Sequence, residues 1–149
     1  MEVPPTMIID LNIQDLTKEN FAPFGDIIET AGAERMLINE GTTERFHNLA
    51  NIDVANKGGQ PLINIFRGQP KPQPIQIKMM ERHPLGSQAF IPLQKKPYVI
   101  VVAPVSKHVN PNDLYAFLAA GDQGINYNRN LWHHPLLTLE NNHEFLVVD

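Results

Sequence analysis

Two short stretches of this sequence gather the side chains able to move protons or hold a cation. The first runs Met80-Glu81-Arg82-His83-Pro84-Leu85-Gly86-Ser87-Gln88. In extended backbone, residues two apart point to one face, so Glu81 and His83 share a side, and Gln88 can rejoin them across the turn. The second runs Asn126-Tyr127-Asn128-Arg129-Asn130-Leu131-Trp132-His133-His134-Pro135. Neighbouring strand residues face opposite ways, so one of His133 and His134 at most enters a common site, and the other is structural. Three readings follow. Glu81, His83, Gln88 and His133 could converge on a divalent cation, their mixed nitrogen and oxygen donors suiting nickel, zinc, iron or manganese. Alternatively, His83 or His133 serves as a general base with no metal, because imidazole titrates near neutrality. In the plainest reading, Glu81 and Arg82 form a surface pair and His83 is a turn residue.

Arginine is the other informative type. Arg45, Arg67, Arg82 and Arg129 each lie in or beside a strand or turn candidate. A guanidinium projecting into a pocket holds a carboxylate bidentately, which an ammonium does less well. Taken singly, each is more often a surface charge. His47 shares the face of Arg45 if that segment is extended. Lys107 and His108 read as loop residues, His143 as a turn residue, and Trp132 as core or dimer interface.

The elements that must position these groups read as mostly β. Thr17 can cap a short helix through Phe21, with Gly25 ending it, and the Glu2 to Thr6 stretch reads as a frayed lead-in. Strand candidates are Asp26 to Glu29, Leu62 to Arg67, the alternating Ile75 to Met79, Gln88 to Leu93, Tyr98 to Ala103, Ile125 to Tyr127, Pro135 to Leu139 and Glu144 to Val148. Thr30 to Thr43 is polar and without strong period. A helical turn is expected over Pro111 to Leu114, followed by a strand, and Asn141-Asn142 marks a final hairpin turn. Short strands at this spacing predict a β-sandwich or barrel.

Composition narrows the chemistry. The chain has 149 residues, 12 Lys and Arg against 16 Asp and Glu, and no cysteine. That length fits one domain over residues 1–149. Thirteen prolines are nearly twice the usual share of about 5%, which argues against a helical bundle. Without cysteine there is no thiolate metal site and no thiol nucleophile. A net charge of −4 with no basic stripe excludes nucleic acid as a partner. No apolar run reaches membrane length, and the start lacks a basic secretory leader, so a cytoplasmic location is expected.

The spacing Glu81-x-His83, four residues, then Gln88, with His133 downstream, resembles the metal motif of cupin barrels, with Glu replacing one His and Gln replacing the Glu. The longer run Glu81-Arg82-His83-Pro84-Leu85-Gly86-Ser87-Gln88-Ala89-Phe90-Ile91-Pro92-Leu93 resembles the signature of the ureidoglycolate lyase family. So do Gln123-Gly124-Ile125-Asn126-Tyr127 and Trp132-His133-His134-Pro135, with weaker echoes at Leu16 to Asp26, Arg45 to Ala50 and Phe66-Arg67. The resemblance spans about Ile9 to Asp149. It implies a cupin-like double-stranded β-helix barrel with one or two short helices, a homodimer, and cleavage of (S)-ureidoglycolate, a small-molecule substrate of allantoin catabolism, to glyoxylate and urea. Asn128 stands where several relatives have His, and relatives continue past Asp149 into a Gly-rich tail, so the C-terminal tail is expected to be missing here.

That cleavage is an elimination at a carbinolamine carbon. A base removes the hydroxyl proton and an acid protonates the departing nitrogen. The expected roles are proton transfer by His83 and His133 with Glu81 assisting. Arg67 or Arg129 would bind the carboxylate, and Gln88 and Tyr127 would contact substrate. A nickel or zinc ion, if bound by Glu81, His83, Gln88 and His133, would lower the pKa of the hydroxyl. The competing expectations are a non-catalytic cupin that binds a small acid such as glyoxylate, and a metal-dependent cupin oxygenase or isomerase.

Overall fold

The structure, a computed structural model, describes residues 8–149. The expected lead-in at Glu2 to Thr6 lies outside them. In chain order the strands and helix are β1 (Ile13–Asp15), α1 (Lys18–Phe21), β2 (Gly25–Ile28), β3 (Glu34–Ile38), β4 (Thr43–His47), β5 (Ile63–Gly68), β6 (Gln88–Pro92), β7 (Tyr98–Ala103), β8 (Tyr115–Ala119), β9 (Gly124–Tyr127), β10 (Trp132–His133), β11 (Leu137–Thr138) and β12 (His143–Val148). Single 3₁₀ turns occupy Asn56–Gly58 and Pro111–Asp113, the second where a helical turn is expected.

Two five-stranded sheets carry the fold. One runs β1-β8-β7-β10, with β11 also on the edge of β7; the other runs β2-β9-β6-β12-β5. A single core joins them. Tyr98, Ile100, Val102 and Phe117 of the first sheet pack with Phe90, Ile125, Tyr127 and Phe145 of the second. Removing each such side chain from water contributes about 1.5–3 kcal/mol. This mostly β arrangement agrees with a cupin-like fold, although among the described residues the strands form two five-stranded sheets and a two-stranded one rather than a closed ring of hydrogen bonds.

Local chemistry explains several boundaries. The Thr17 hydroxyl accepts from Asn20 N–H while the Asn20 side chain accepts from Thr17 N–H, a reciprocal cap. The helix ends at Ala22 rather than at Gly25. Gly25 instead opens β2, where any side chain would collide with the Asn126 backbone.

Three expectations need correction. Ile75 to Met79 does not join a sheet. Ile75, Ile77 and Met80 lie over the second face of β7, packed with the cluster of Val99 and Val101, so the alternation holds for Ile75 and Ile77 as one-sided burial without a hydrogen-bonded ladder and breaks at Met79, which is exposed. Thr30 to Thr43 hides a hairpin, in which β3 pairs with β4 through a turn at Asn39 and Glu40, both with positive φ. Finally, the turn at Asn141-Asn142 links different sheets, since β11 pairs with β7 while β12 pairs with β5 and β6.

Candidate active site

Backbone pairing builds the site. Glu81 and His133 face each other across an antiparallel bridge and exchange both hydrogen bonds, each 2.8 Å long. Their side chains therefore lie side by side. His83, two residues beyond Glu81, is held by a 2.9 Å bond from Asn130 N–H to its carbonyl. On the other side of His133, β10 pairs with β7, placing His133 opposite Val102 on the face that meets the main core.

The result is a cluster of three. His133 Nε2 lies 3.5 Å from Glu81 Oε1, and His83 Nε2 lies 3.9 Å from the same oxygen. The two imidazole centroids are 5.1 Å apart. One donor atom from each of Glu81, His83 and His133 falls within 4.8 Å of the others. Three convergent ligand atoms of this kind could hold a metal ion.

His133 is 2% exposed, whereas Glu81 and His83 are half-buried. Its Nδ1 lies 3.1 Å from the Leu131 carbonyl oxygen. A carbonyl can only accept, so Nδ1 carries the hydrogen and Nε2 carries the lone pair. Burial outweighs that hydrogen bond and, with the nearby His83, lowers the His133 pKa from 6.5 to about 4. The ring is thus neutral at pH 7. Its Nε2 is buried and finds no hydrogen-bond partner. A lone pair therefore faces a carboxylate oxygen, and the gap calls for a proton donor or a cation between them.

Tyr127 fixes the ring from the opposite sheet. The two rings stack with centroids 4.3 Å apart and planes 14° from parallel. Burial, reinforced by the Glu81 charge, pushes the phenol pKa well above its usual value, so Tyr127 stays a neutral O–H donor. Gln88 lies directly opposite Tyr127 in the β6–β9 register. His134 points away, its Nδ1 2.8 Å from the Pro135 carbonyl.

The arginines separate. Arg67 lies on the outer face of its sheet, opposite Glu144 in register and 3.1 Å from its carboxylate. Its strand partner fixes this side, because Glu144 alternates with the buried His143 and Phe145. Arg82 is stacked over Trp132, 4.7 Å from the ring centroid, and donates to the Ser106 carbonyl. Arg129 is 3.4 Å from Asp53 and lines a cavity of about 240 Å³ with Asn51, Ser87 and Asn128. It immediately precedes Asn130, which grips His83. Arg45 and His47 lie on β4, in the hairpin outside both main sheets.

Two polar residues of this region escape the sequence reading. Asp149 accepts hydrogen bonds from Gln88 and Asn64. Neither has a local motif, and only the β5–β12–β6 pairing brings them together.

Among the described residues, no helix is long and apolar enough to cross a membrane. The family profile described as ureidoglycolate lyase matches residues 8–149. A ureidoglycolate lyase of Burkholderia mallei is 55% identical over 139 residues, covering 93% of this chain and 81% of that protein. Ureidoglycolate lyases of Brucella melitensis and Brucella anthropi are each 59% identical over 139 residues, covering 93% of this chain and 82% of theirs. With a profile match over all of the described residues and relatives this similar, the chain belongs to the ureidoglycolate lyase family.

Proposed function

We propose that this protein is an enzyme that cleaves (S)-ureidoglycolate to glyoxylate and urea, with residues 1–149 working as one cupin-like domain. The observation that carries the reading is the unpartnered Nε2 lone pair of neutral, buried His133, aimed at Glu81 and His83. An acceptor held this way is poised for the proton of a substrate hydroxyl.

The reaction follows from that placement. His133 Nε2 takes the hydroxyl proton, the oxygen electrons form the aldehyde carbonyl, and the carbon–nitrogen bond breaks. The leaving urea nitrogen receives a proton from His83, and Glu81, within reach of both rings, relays the proton gained by His133 back to His83. No water is consumed. Positioning and proton transfer of this sort contribute rate factors of about 10²–10⁴ per group. Tyr127 keeps the His133 plane fixed and offers its phenol to the substrate. Arg129 holds the carboxylate, supported by its seat on the loop that grips His83 and by the cavity that it lines, where the substrate carboxylate would take the place of Asp53 as its partner.

Glu81, His83 and His133 are also the residues that would hold a divalent cation such as nickel or zinc, and the mutual approach of a lone pair and a carboxylate fits one. Such a cation would lower the pKa of the substrate hydroxyl. Pairing of two copies is supported by the free edge of β5, where Ile63 is 74% exposed. A cysteine-free lyase of allantoin breakdown suits the cytoplasm.

Incubation with (S)-ureidoglycolate is expected to release urea and glyoxylate in equal amounts. Ammonia in place of urea overturns the reading. Repeating the assay after chelation, then after adding back nickel or zinc, separates the metal-assisted route from the metal-free one.

A further inference from the structure

The inner face of the β2-β9-β6-β12-β5 sheet changes character toward one end. Along β6, Phe90 gives way to Gln88. Along β12, Phe145 and Val147 lead to Asp149. On β9, Ile125 leads to Tyr127. This is the end where Tyr127 meets His133, and Gln88 sits directly opposite Tyr127 on the neighbouring strand, with Asp149 and Asn64 further out along the sheet.

Their hydrogen bonds are directional. Gln88 Nε2 donates to Asp149 Oδ2 at 3.0 Å, and Asn64 Nδ2 donates to Asp149 Oδ1 at 3.1 Å. An ionised carboxylate only accepts, so both amides must turn their nitrogens toward it. Backbone bonds between Asp149 and Leu62, 2.7 and 3.1 Å long, hold the carboxylate in place. The orientation of Gln88 is thereby forced, and its Oε1 is left over. That oxygen is buried without a partner in a residue only 6% exposed. Buried acceptors are normally satisfied, so an orphan held in a fixed direction points to a ligand donor.

We propose that Gln88 Oε1 accepts an N–H of the ureido group, with Asp149 and Asn64 as positioning residues that aim it. This inference rests on the lyase reading and assigns the substrate's orientation within it. Charge decides which end lies here. An acceptor oxygen beside a carboxylate repels the substrate's own carboxylate and welcomes its donor-rich, neutral urea end. The carboxylate then lies toward Arg129. The same contact holds the urea as it leaves.

The test compares the two products as inhibitors of the intact enzyme, using urea below denaturing concentrations. Gln88→Met removes the acceptor while keeping a chain of similar length. Urea inhibition is expected to weaken about tenfold or more, the effect of one lost hydrogen bond, with glyoxylate inhibition changed less than about twofold. Asp149→Asn lets the Gln88 amide turn over, and should shift urea inhibition in the same direction, with KM for ureidoglycolate rising more than kcat falls. Asn64→Ala provides a third, milder variant on the edge strand should either of the others fail to fold. Equal weakening toward urea and glyoxylate, or no change toward urea, overturns the inference while leaving the lyase reading intact. Failure of the unmodified enzyme to release urea overturns both.

Discussion

Two buried histidines make an instructive pair. His133 and His143 are each almost fully enclosed, each has one ring nitrogen near a backbone carbonyl (Leu131 and Gln94), and each leaves the other nitrogen without a partner. Both lie against aromatic rings, His133 on Tyr127 and His143 beside Tyr98 and Phe145. Burial lowers both pKa values, with the approach of Lys96 adding to the effect at His143. Their surroundings differ in one respect. Around the free nitrogen of His133 a carboxylate and a second imidazole converge within ligand distance; among the described residues His143 belongs to no such group, although the charges of Lys96 and Glu140 reach it. Burial, an orphaned nitrogen and a displaced pKa therefore do not by themselves mark a site. Convergence of reactive groups does.

The largest test of that contrast is activity. His133→Ala should lower kcat about 10²- to 10⁴-fold, the usual loss for a general base. His143→Gln, which keeps a donor for the Gln94 carbonyl, should stay within about twofold at pH 7. Comparable losses from the two substitutions would erase the distinction. A smaller effect separates the arginines in the same way. Arg129→Gln should raise KM about 10- to 100-fold, as expected for a lost charge-assisted bond, whereas Arg67→Gln, on the outer face, should leave KM unchanged. Parallel KM shifts would remove Arg129 from carboxylate binding.

The smallest expected effect is on stability, where the two histidines should act alike. An imidazole with a lowered folded pKa binds protons more readily in the unfolded chain. Its stability contribution is complete above the ordinary value near 6.5 and declines as pH falls, for His133 down to about 4. The melting temperature should accordingly drop between pH 7 and pH 5. His143→Gln should make that drop smaller, because it removes one of the groups that gain a proton on unfolding. An unchanged drop would show that the His143 ring titrates normally in the folded protein.

The sequence revealed those features whose physical cause is local. Tyr98 to Ala103 could be read because six consecutive buried positions leave an uninterrupted apolar, β-rich run. The Glu81–His83 spacing revealed a shared face because alternation is a property of any extended backbone. The β3–β4 hairpin stayed hidden for the opposite reason. Most of its residues on both faces are exposed, so neither face imprints a period of two. His143 read as a turn residue because nothing in its neighbours announces Tyr98 across the core. Asp149 and Asn64 were missed because their bond to each other spans 85 positions, a separation that carries no local pattern.

The double burial of β7 has a consequence before the native state exists. Val99 and Val101 need the Ile75 to Met80 cover, while Tyr98, Ile100 and Val102 need the opposite sheet. Until both arrive, Tyr98-Val99-Ile100-Val101-Val102-Ala103 is a six-residue, uncharged, β-prone segment, the kind that adheres to copies of itself. Pro97 and Pro104 close it at either end, and Lys95 and Lys96 add charge just before it. Prolines and lysines at such borders act as gatekeepers against intermolecular strand pairing. The residues that delimit the central strand of the folded enzyme thus also guard the newly made chain against aggregation.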